Sequence, residues 1–184
     1  MRYTVFPLRN QNGGQTLADN ALEALWKQVL LEERQDLLFY AGGIHTAADF
    51  LAFIKKEDLE VCFVVDTQTS QLRGFAWLTE MSGGKAFAHY CFLGVPHRAI
   101  GRAVVNFWCN LRRPDGQALL YVLLGITPEF HSKAVRFIRI IGFTKLDTIP
   151  GYFEDHKGSG RSGAIISHYD CESHRQRTLL SKGS

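Results

Sequence analysis

Arg98, Gly101 and Ala103 follow the turn Gly94-Val95-Pro96, which itself closes the apolar run Phe87-Ala88-His89-Tyr90-Cys91-Phe92-Leu93. A strand that enters a glycine-bearing turn and then a helix leaves the first helical N–H groups without carbonyl partners, open to an anion. The chemistry this pattern allows is the holding of a phosphate on the amides of Arg98, Ala99, Ile100, Gly101, Arg102 and Ala103. A guanidinium at Arg98 opposes the helix dipole unless an anion arrives, which points the same way. Small residues at 101 and 103 equally serve close packing of the helix. A second unit, the run Leu119 to Leu124 followed by a helix from about Ser132 to Gly142-Phe143, makes two strand-helix units in succession.

These groups need a scaffold, and the rest of the chain supplies one. Tyr3 to Leu8 reads as a strand, and Asn10-Gln11-Asn12-Gly13-Gly14 as a turn. Thr16 with Asp19 resembles a capping box, and Leu22, Leu25, Trp26, Val29 and Leu30 then fall on one helical stripe. Ala41-Gly42-Gly43 ends that stretch, and Thr46 with Asp49 opens a shorter helix that buries Phe50, Phe53 and Ile54. Glu60 to Val65 and Leu72 to Leu78 alternate as a hairpin, and Ser82-Gly83-Gly84-Lys85 turns the chain into the Phe87 strand, so the middle is a three-stranded meander. Thr144 to Ile149 and Gly163 to Tyr169 are two last strands about the loop Glu154 to Ser162. The order β-α-α-β-β-β-α-β-α-β-β contains no repeat and no linker, so residues 1–170 are expected to form one domain, followed by a polar, frayed tail over 171–184.

With 184 residues, 46% of them hydrophobic and 21% charged, the composition is that of a globular protein, not a disordered or fibrous one. No apolar run approaches the ~20 residues of a membrane span, and the first residues make no signal peptide, so a cytoplasmic protein with no membrane partner is expected. Cys62, Cys91, Cys109 and Cys171 show no paired spacing, which suggests neither a metal site nor a disulfide framework. A net charge of +3, scattered apart from Arg112-Arg113 and the tail, gives nucleic-acid binding little support.

Arg98, Gly101 and Ala103 match the cofactor motif of the Gcn5-related N-acetyltransferases, and Gly142-Phe143 matches that family's later helix end; the chain resembles this family. The resemblance implies an α+β (α/β) fold: a mixed, mostly antiparallel sheet of about seven strands flanked by about four helices. It implies acetyl-CoA as co-substrate, with no metal, and transfer of the acetyl group to a primary amine on a small molecule or protein. It further implies that the Phe87 strand parts from the next strand near Leu93, Gly94 and Val95, where the pantetheine arm pairs with backbone.

A protonated amine, with a pKa near ~10.4, has no lone pair with which to attack a thioester, so its proton must be removed. His89 falls where a branch of the family carries a glutamate base, and imidazole can do that work. Cys91, on the same face as Phe87, His89 and Leu93, reads as packing. The family's usual tyrosine acid is replaced by Ile138, and an asparagine that contacts pantetheine is replaced by His131. Tyr152 and Tyr121 are the phenols left as acids, and His97 stands at the helix entrance. A CoA-binding or structural module of a larger assembly, without turnover, is the alternative reading. The acceptor is expected between the segments Ala41–Asp49 and Glu154–Ser162, and the state is monomer or homodimer, the strand Ala164-Ile165-Ile166 being a possible pairing edge.

Overall fold

A computed structural model describes residues 2–9, 12–39, 43–95, 97–154 and 160–180. The elements, in chain order, are β1 (Tyr3–Pro7), α1 (Asp19–Leu31), α2 (Gln35–Leu38), α3 (Ala47–Ile54), β2 (Glu60–Asp66), β3 (Gln71–Ser82) and β4 (Lys85–Phe92). There follow α4 (Arg98–Cys109), β5 (Val122–Pro128), α5 (Ser132–Ile141), β6 (Thr144–Glu154), β7 (Arg161–Asp170) and α6 (Cys171–Leu180). The seven strands form one sheet in the order β1-β2-β3-β4-β5-β7-β6, and β4–β5 is its parallel pair. This is the mixed, mostly antiparallel sheet that the resemblance implied, with α2 and α6 beyond the four helices expected.

Alternation along the strands sorts side chains onto two cores. Phe63, Phe75, Trp77, Cys91 and Leu93 meet the apolar stripes of α1 and α3, including Leu22, Trp26, Phe50 and Ile54. Val64, Ala76, Leu78 and Phe92 face the other way, against Ile100, Val104 and Trp108 of α4 and Phe137, Ile138 and Ile141 of α5. Each face of the sheet is thereby covered by helices, which is how this strand order buries both sides. None of the helices among the described residues is long and apolar enough to cross a membrane.

Several local expectations change. Thr16 does not cap α1: the N-cap is Ala18 and makes no side-chain hydrogen bond. The Thr16 hydroxyl instead donates to the Pro7 and Leu8 carbonyls, and Asp19 pairs with Lys55 at 2.6 Å. Thr46 and Asp49 do form the capping box of α3. Leu30, placed on the buried stripe by spacing, is exposed. The fifth strand starts at Val122 rather than Leu119; Leu120 is apolar because it is core, and Leu119 N–H closes a loop on the Leu111 carbonyl. Strand β7, with the segment Ala164 to Ile166, is interior, paired to β5 and β6, so the edge is β6.

The frayed tail is corrected most. Residues Cys171 to Leu180 form α6, tied back by Arg175 Nη1, which donates to the carbonyls of Cys109 (2.8 Å) and Leu120 (2.9 Å). Tyr169 Oη and His174 Nδ1 lie 2.8 Å apart, and His174 Nε2 lies 3.1 Å from Asn106 Oδ1 of α4. A polar helix docks here through hydrogen bonds, which hydrophobic periodicity does not register. Residues 181–184 lie outside the described residues.

Candidate functional site

Strands β4 and β5 pair only from Lys85 opposite Val122 to Phe87 opposite Leu124. Beyond that point β4 stays with β3 as far as Phe92, and β5 stays with β7 as far as Pro128, so the two central strands part. The parting begins six residues before Leu93, earlier than expected. Between them lies a cleft of ≈ 680 Å³, lined by Ala88 to Phe92 of β4 and Gly125 to Pro128 of β5. Trp77, His89 and Leu38 line it from one face of the sheet, and Gly101, Phe137, Ile138 and Ile141 from the other. The cleft therefore reaches both faces, and backbone groups of both strands border it without a strand partner on that side. An extended ligand can pair there as an added strand would.

The turn that leaves β4 is held from three directions. Gly94 adopts φ +68°, in the region that favours glycine, and its N–H donates to Glu32 Oε2 at 2.8 Å. Arg34 Nη2 donates to the Gly94 carbonyl at 2.7 Å, and Arg73 Nη2 to the Leu93 carbonyl at 3.2 Å. Leu93 N–H donates to the Arg73 carbonyl at 2.8 Å. Val95 then projects into solvent, 88% exposed. Of the three residues singled out in this turn, Gly94 and Val95 line the cleft and Leu93 is core.

Glu32 and Arg34 reach the turn because of how α1 ends. Arg34 N–H bonds the Val29 carbonyl and Glu33 N–H the Leu30 carbonyl, a Schellman closure with Glu33 at φ +52° where glycine is usual. Burial works to raise the Glu32 carboxyl, but hydrogen bonds from Gly94, Gln28 and Arg34 outweigh it and hold the group below its ordinary range. Sequence reading misses both residues; the signal is the charged triplet Glu32-Glu33-Arg34 directly after an apolar stripe.

At the start of α4 the row of open amides is shorter than expected. His97 is the N-cap, and its Nδ1 accepts from Ala99 N–H at 3.1 Å, while Ile100 N–H bonds the His97 carbonyl at 2.9 Å. An anion that takes the Ala99 N–H must first displace the His97 ring from it. Arg98 and Arg102 are exposed on the first turns, Ile100 is core, and Ala103 packs against the core. Gly101 has a packing cause: a Cβ there would lie 2.5 Å from Ile141 Cγ2 and 2.8 Å from Phe137 Cζ. Gly142 closes α5 at φ +115°, with Phe143 N–H bonded to the Ile138 carbonyl at 3.0 Å, so the Gly-Phe pair is a helix cap.

His89 lies opposite Trp77, its ring stacked on the indole at 5.1 Å and its Nε2 3.0 Å from Thr79 Oγ1. Burial disfavours the imidazolium and lowers the group to about 4, so the ring is neutral at physiological pH. Burial pushes the Cys91 thiol up to about 12, as befits a packing residue, not a thiolate nucleophile. His131 lines the cleft at the N-cap of α5. Tyr152 sits on edge strand β6, 48% exposed, and Tyr121 lies beneath Arg175; neither lines the cleft. Tyr90 does, packed on Phe92 and Phe137, and burial raises its phenol. Alternation turns Tyr90 away from His89, so the strand pattern does not single it out. Ala41, Gly42 and residues 155–159, within the expected acceptor segments, lie outside the described residues.

No protein-family model matches the sequence, and no curated protein matches it. Solved structures do. The spermidine N-acetyltransferase of Vibrio cholerae in complex with CoA and spermine aligns with a TM-score of 0.65 and 14% identity, over 93% of this chain and 96% of that one. The microcin C7 self-immunity acetyltransferase MccE, in complex with acetyl-CoA and AMP, aligns at 0.67 and 12% identity over 92% of both chains. The ribosomal-protein-S5-alanine acetyltransferase of Vibrio fischeri aligns at 0.66 and 11% over 92% of this chain and 93% of that one. With the sheet order, the parted central strands and the position of α4, these likenesses establish that the chain has the fold of the Gcn5-related N-acetyltransferases.

Proposed function

We propose that the protein is an N-acetyltransferase that moves an acetyl group from acetyl-CoA to a primary amine by direct attack. The observation that carries this reading is the parting of β4 from β5 beyond Phe87 and Leu124, beside the N-terminus of α4. The pantetheine arm would run along the free strand edges, and the phosphates would meet the opening of α4 with Arg98 and Arg102 nearby. His131 borders the arm at the start of α5. The turn N–H of Val95, unlike those of Leu93 and Gly94, is left to face the oxyanion as the amine adds.

His89 and Tyr90 stand on opposite faces of one strand, and both line the cleft. In this reading the amine arrives unprotonated, and His89, itself neutral in the resting protein, takes its N–H proton as the C–N bond forms and the nitrogen becomes acidic. Tyr90 gives a proton to the leaving thiolate, the task for which sequence alone offered Tyr152 and Tyr121. Residues 1–170 hold the catalytic unit, in a cytoplasmic protein that is a monomer or homodimer.

Calorimetric titration with acetyl-CoA and CoA tests the reading: saturable binding of both is expected, and no heat at high concentration overturns it. Release of free CoA thiol across a panel of primary amines then tests turnover. A second reading, a CoA-binding module without turnover, is favoured by Ile138, an apolar side chain lining the cleft that has no proton to give. Binding without thiol release across the panel selects that one.

A further inference from the structure

The four cysteines carry no paired spacing in sequence, yet the fold brings two of them together. Cys109 is the last residue of α4 and Cys171 the first of α6; both are fully buried, and their sulfurs lie 2.7 Å apart. We propose that Cys109 and Cys171 are a redox couple whose oxidised form is a disulfide fastening α6 to the end of α4.

The backbones around the two sulfurs are pinned independently of them. Cys171 N–H bonds the Tyr121 carbonyl at 2.9 Å, and Arg175, one turn along α6, donates to the Cys109 carbonyl at 2.8 Å. The thiols are thus held face to face by groups that do not depend on a covalent bond. Helix α6 has little else to hold it by burial: Cys171 is its buried residue, and Leu179 and Leu180 are 72% and 77% exposed. A cross-link at its first residue therefore secures an element otherwise docked through polar contacts. Cys62 and Cys91, on β2 and β4, belong to different faces of the sheet and so do not face each other.

The oxidant is a low-molecular-weight disulfide, admitted when α6 opens locally. One cysteine thiolate attacks a sulfur of the reagent, expels the first reagent thiolate and leaves a mixed disulfide. The second cysteine thiolate attacks the protein sulfur of that bond and expels the second. Two electrons and the two thiol protons pass from the protein to the reagent, which departs as two thiols. Closing of α6 then returns the linked pair to the core.

The full chain is incubated with oxidised glutathione or with dithiothreitol, then denatured and alkylated with iodoacetamide. Two of the four cysteines are expected to escape alkylation after oxidation, with a linked peptide joining Cys109 to Cys171, and none after reduction. The oxidised chain should melt roughly 5–10 °C higher, a gain that dithiothreitol removes. Four alkylated cysteines, a retained glutathione adduct, or a link through Cys62 or Cys91 overturns the proposal. Cys171→Ser should abolish the protection, and the double change Cys62→Ala, Cys91→Ala should keep it. The peptide map of the unaltered chain decides the matter if Cys171→Ser does not fold. Acetyl-CoA binding is not part of the readout, so this result and that of the proposed function stand apart.

Discussion

The Gly94 N–H donates to Glu32 Oε2 at 2.8 Å, joining the last turn of α1 to the turn between β4 and α4 across 62 residues of sequence. Arg34 completes the clamp by donating to the Gly94 carbonyl at 2.7 Å and to the Glu32 carboxylate at 2.8 Å. A glycine with a left-handed φ and no side chain is otherwise free to move, so this clamp sets where the Val95 N–H points.

Removal of the clamp should weaken ligand binding more than it weakens the fold. A hydrogen bond to a charged group contributes about 1.5–3 kcal/mol, so Glu32→Ala is expected to raise the dissociation constant for CoA by about 10-fold or more. The carboxylate is held below its ordinary range, so the clamp is intact above that range and fails as pH falls through the lowered value. Calorimetry at neutral pH checks the first statement. An unchanged constant would show that the turn keeps its shape without Glu32.

Gly101 should be intolerant of a methyl group for reasons of packing. The contacts at 2.5 Å to Ile141 and 2.8 Å to Phe137 predict that Gly101→Ala overpacks the α4–α5 contact and costs about 1–3 kcal/mol in urea unfolding. Arg102→Ala, one residue away and exposed, should change stability by less than about 0.5 kcal/mol. Normal stability with lost CoA binding in Gly101→Ala would instead assign the glycine to the ligand.

His89 should make the fold acid-sensitive. The imidazole is lowered from 6.5 to about 4, so between those values the unfolded chain binds a proton that the native chain refuses. Stability therefore falls as pH drops through that window, by roughly 3 kcal/mol in all, and is unaffected by this group above it. His89→Gln should flatten the difference in urea midpoint between pH 7 and pH 4.5. An equal slope in the variant and the parent would refute the assignment.

Tyr90 and Tyr152 make opposite predictions in a CoA-release assay. General acid catalysis is worth about 100-fold or more, so Tyr90→Phe should lower kcat by that order with KM little changed. Tyr152→Phe, on the exposed face of β6, should leave kcat nearly as it was. The reverse pattern would return the acid to Tyr152.

Elements defined by local periodicity are legible in the sequence. The stripe Leu22, Leu25, Trp26 and Val29, the alternating hairpin of β2 and β3, the capping box of Thr46 and Asp49, and the Gly142 cap each depend on residues a few positions apart. Leu119 misleads because an apolar residue before a strand looks like the strand itself. Helix α6 reads as a frayed tail because its docking uses Arg175, His174 and a thiol rather than an apolar face.

The sequence by itself determined the order of the seven strands and of α1, α3, α4 and α5 among them, the strand-turn-helix around Gly94 and the presence of His89 in that strand, because these follow from the chemistry of neighbouring residues. Only the tertiary structure decided what those residues meet. It opened β4 from β5, covered part of the α4 terminus with His97, brought Glu32 onto Gly94 and set Cys109 beside Cys171. Each of these depends on parts of the chain brought together by burial of a shared core or on a hydrogen bond whose geometry residue types leave open, and no local pattern encodes such a meeting.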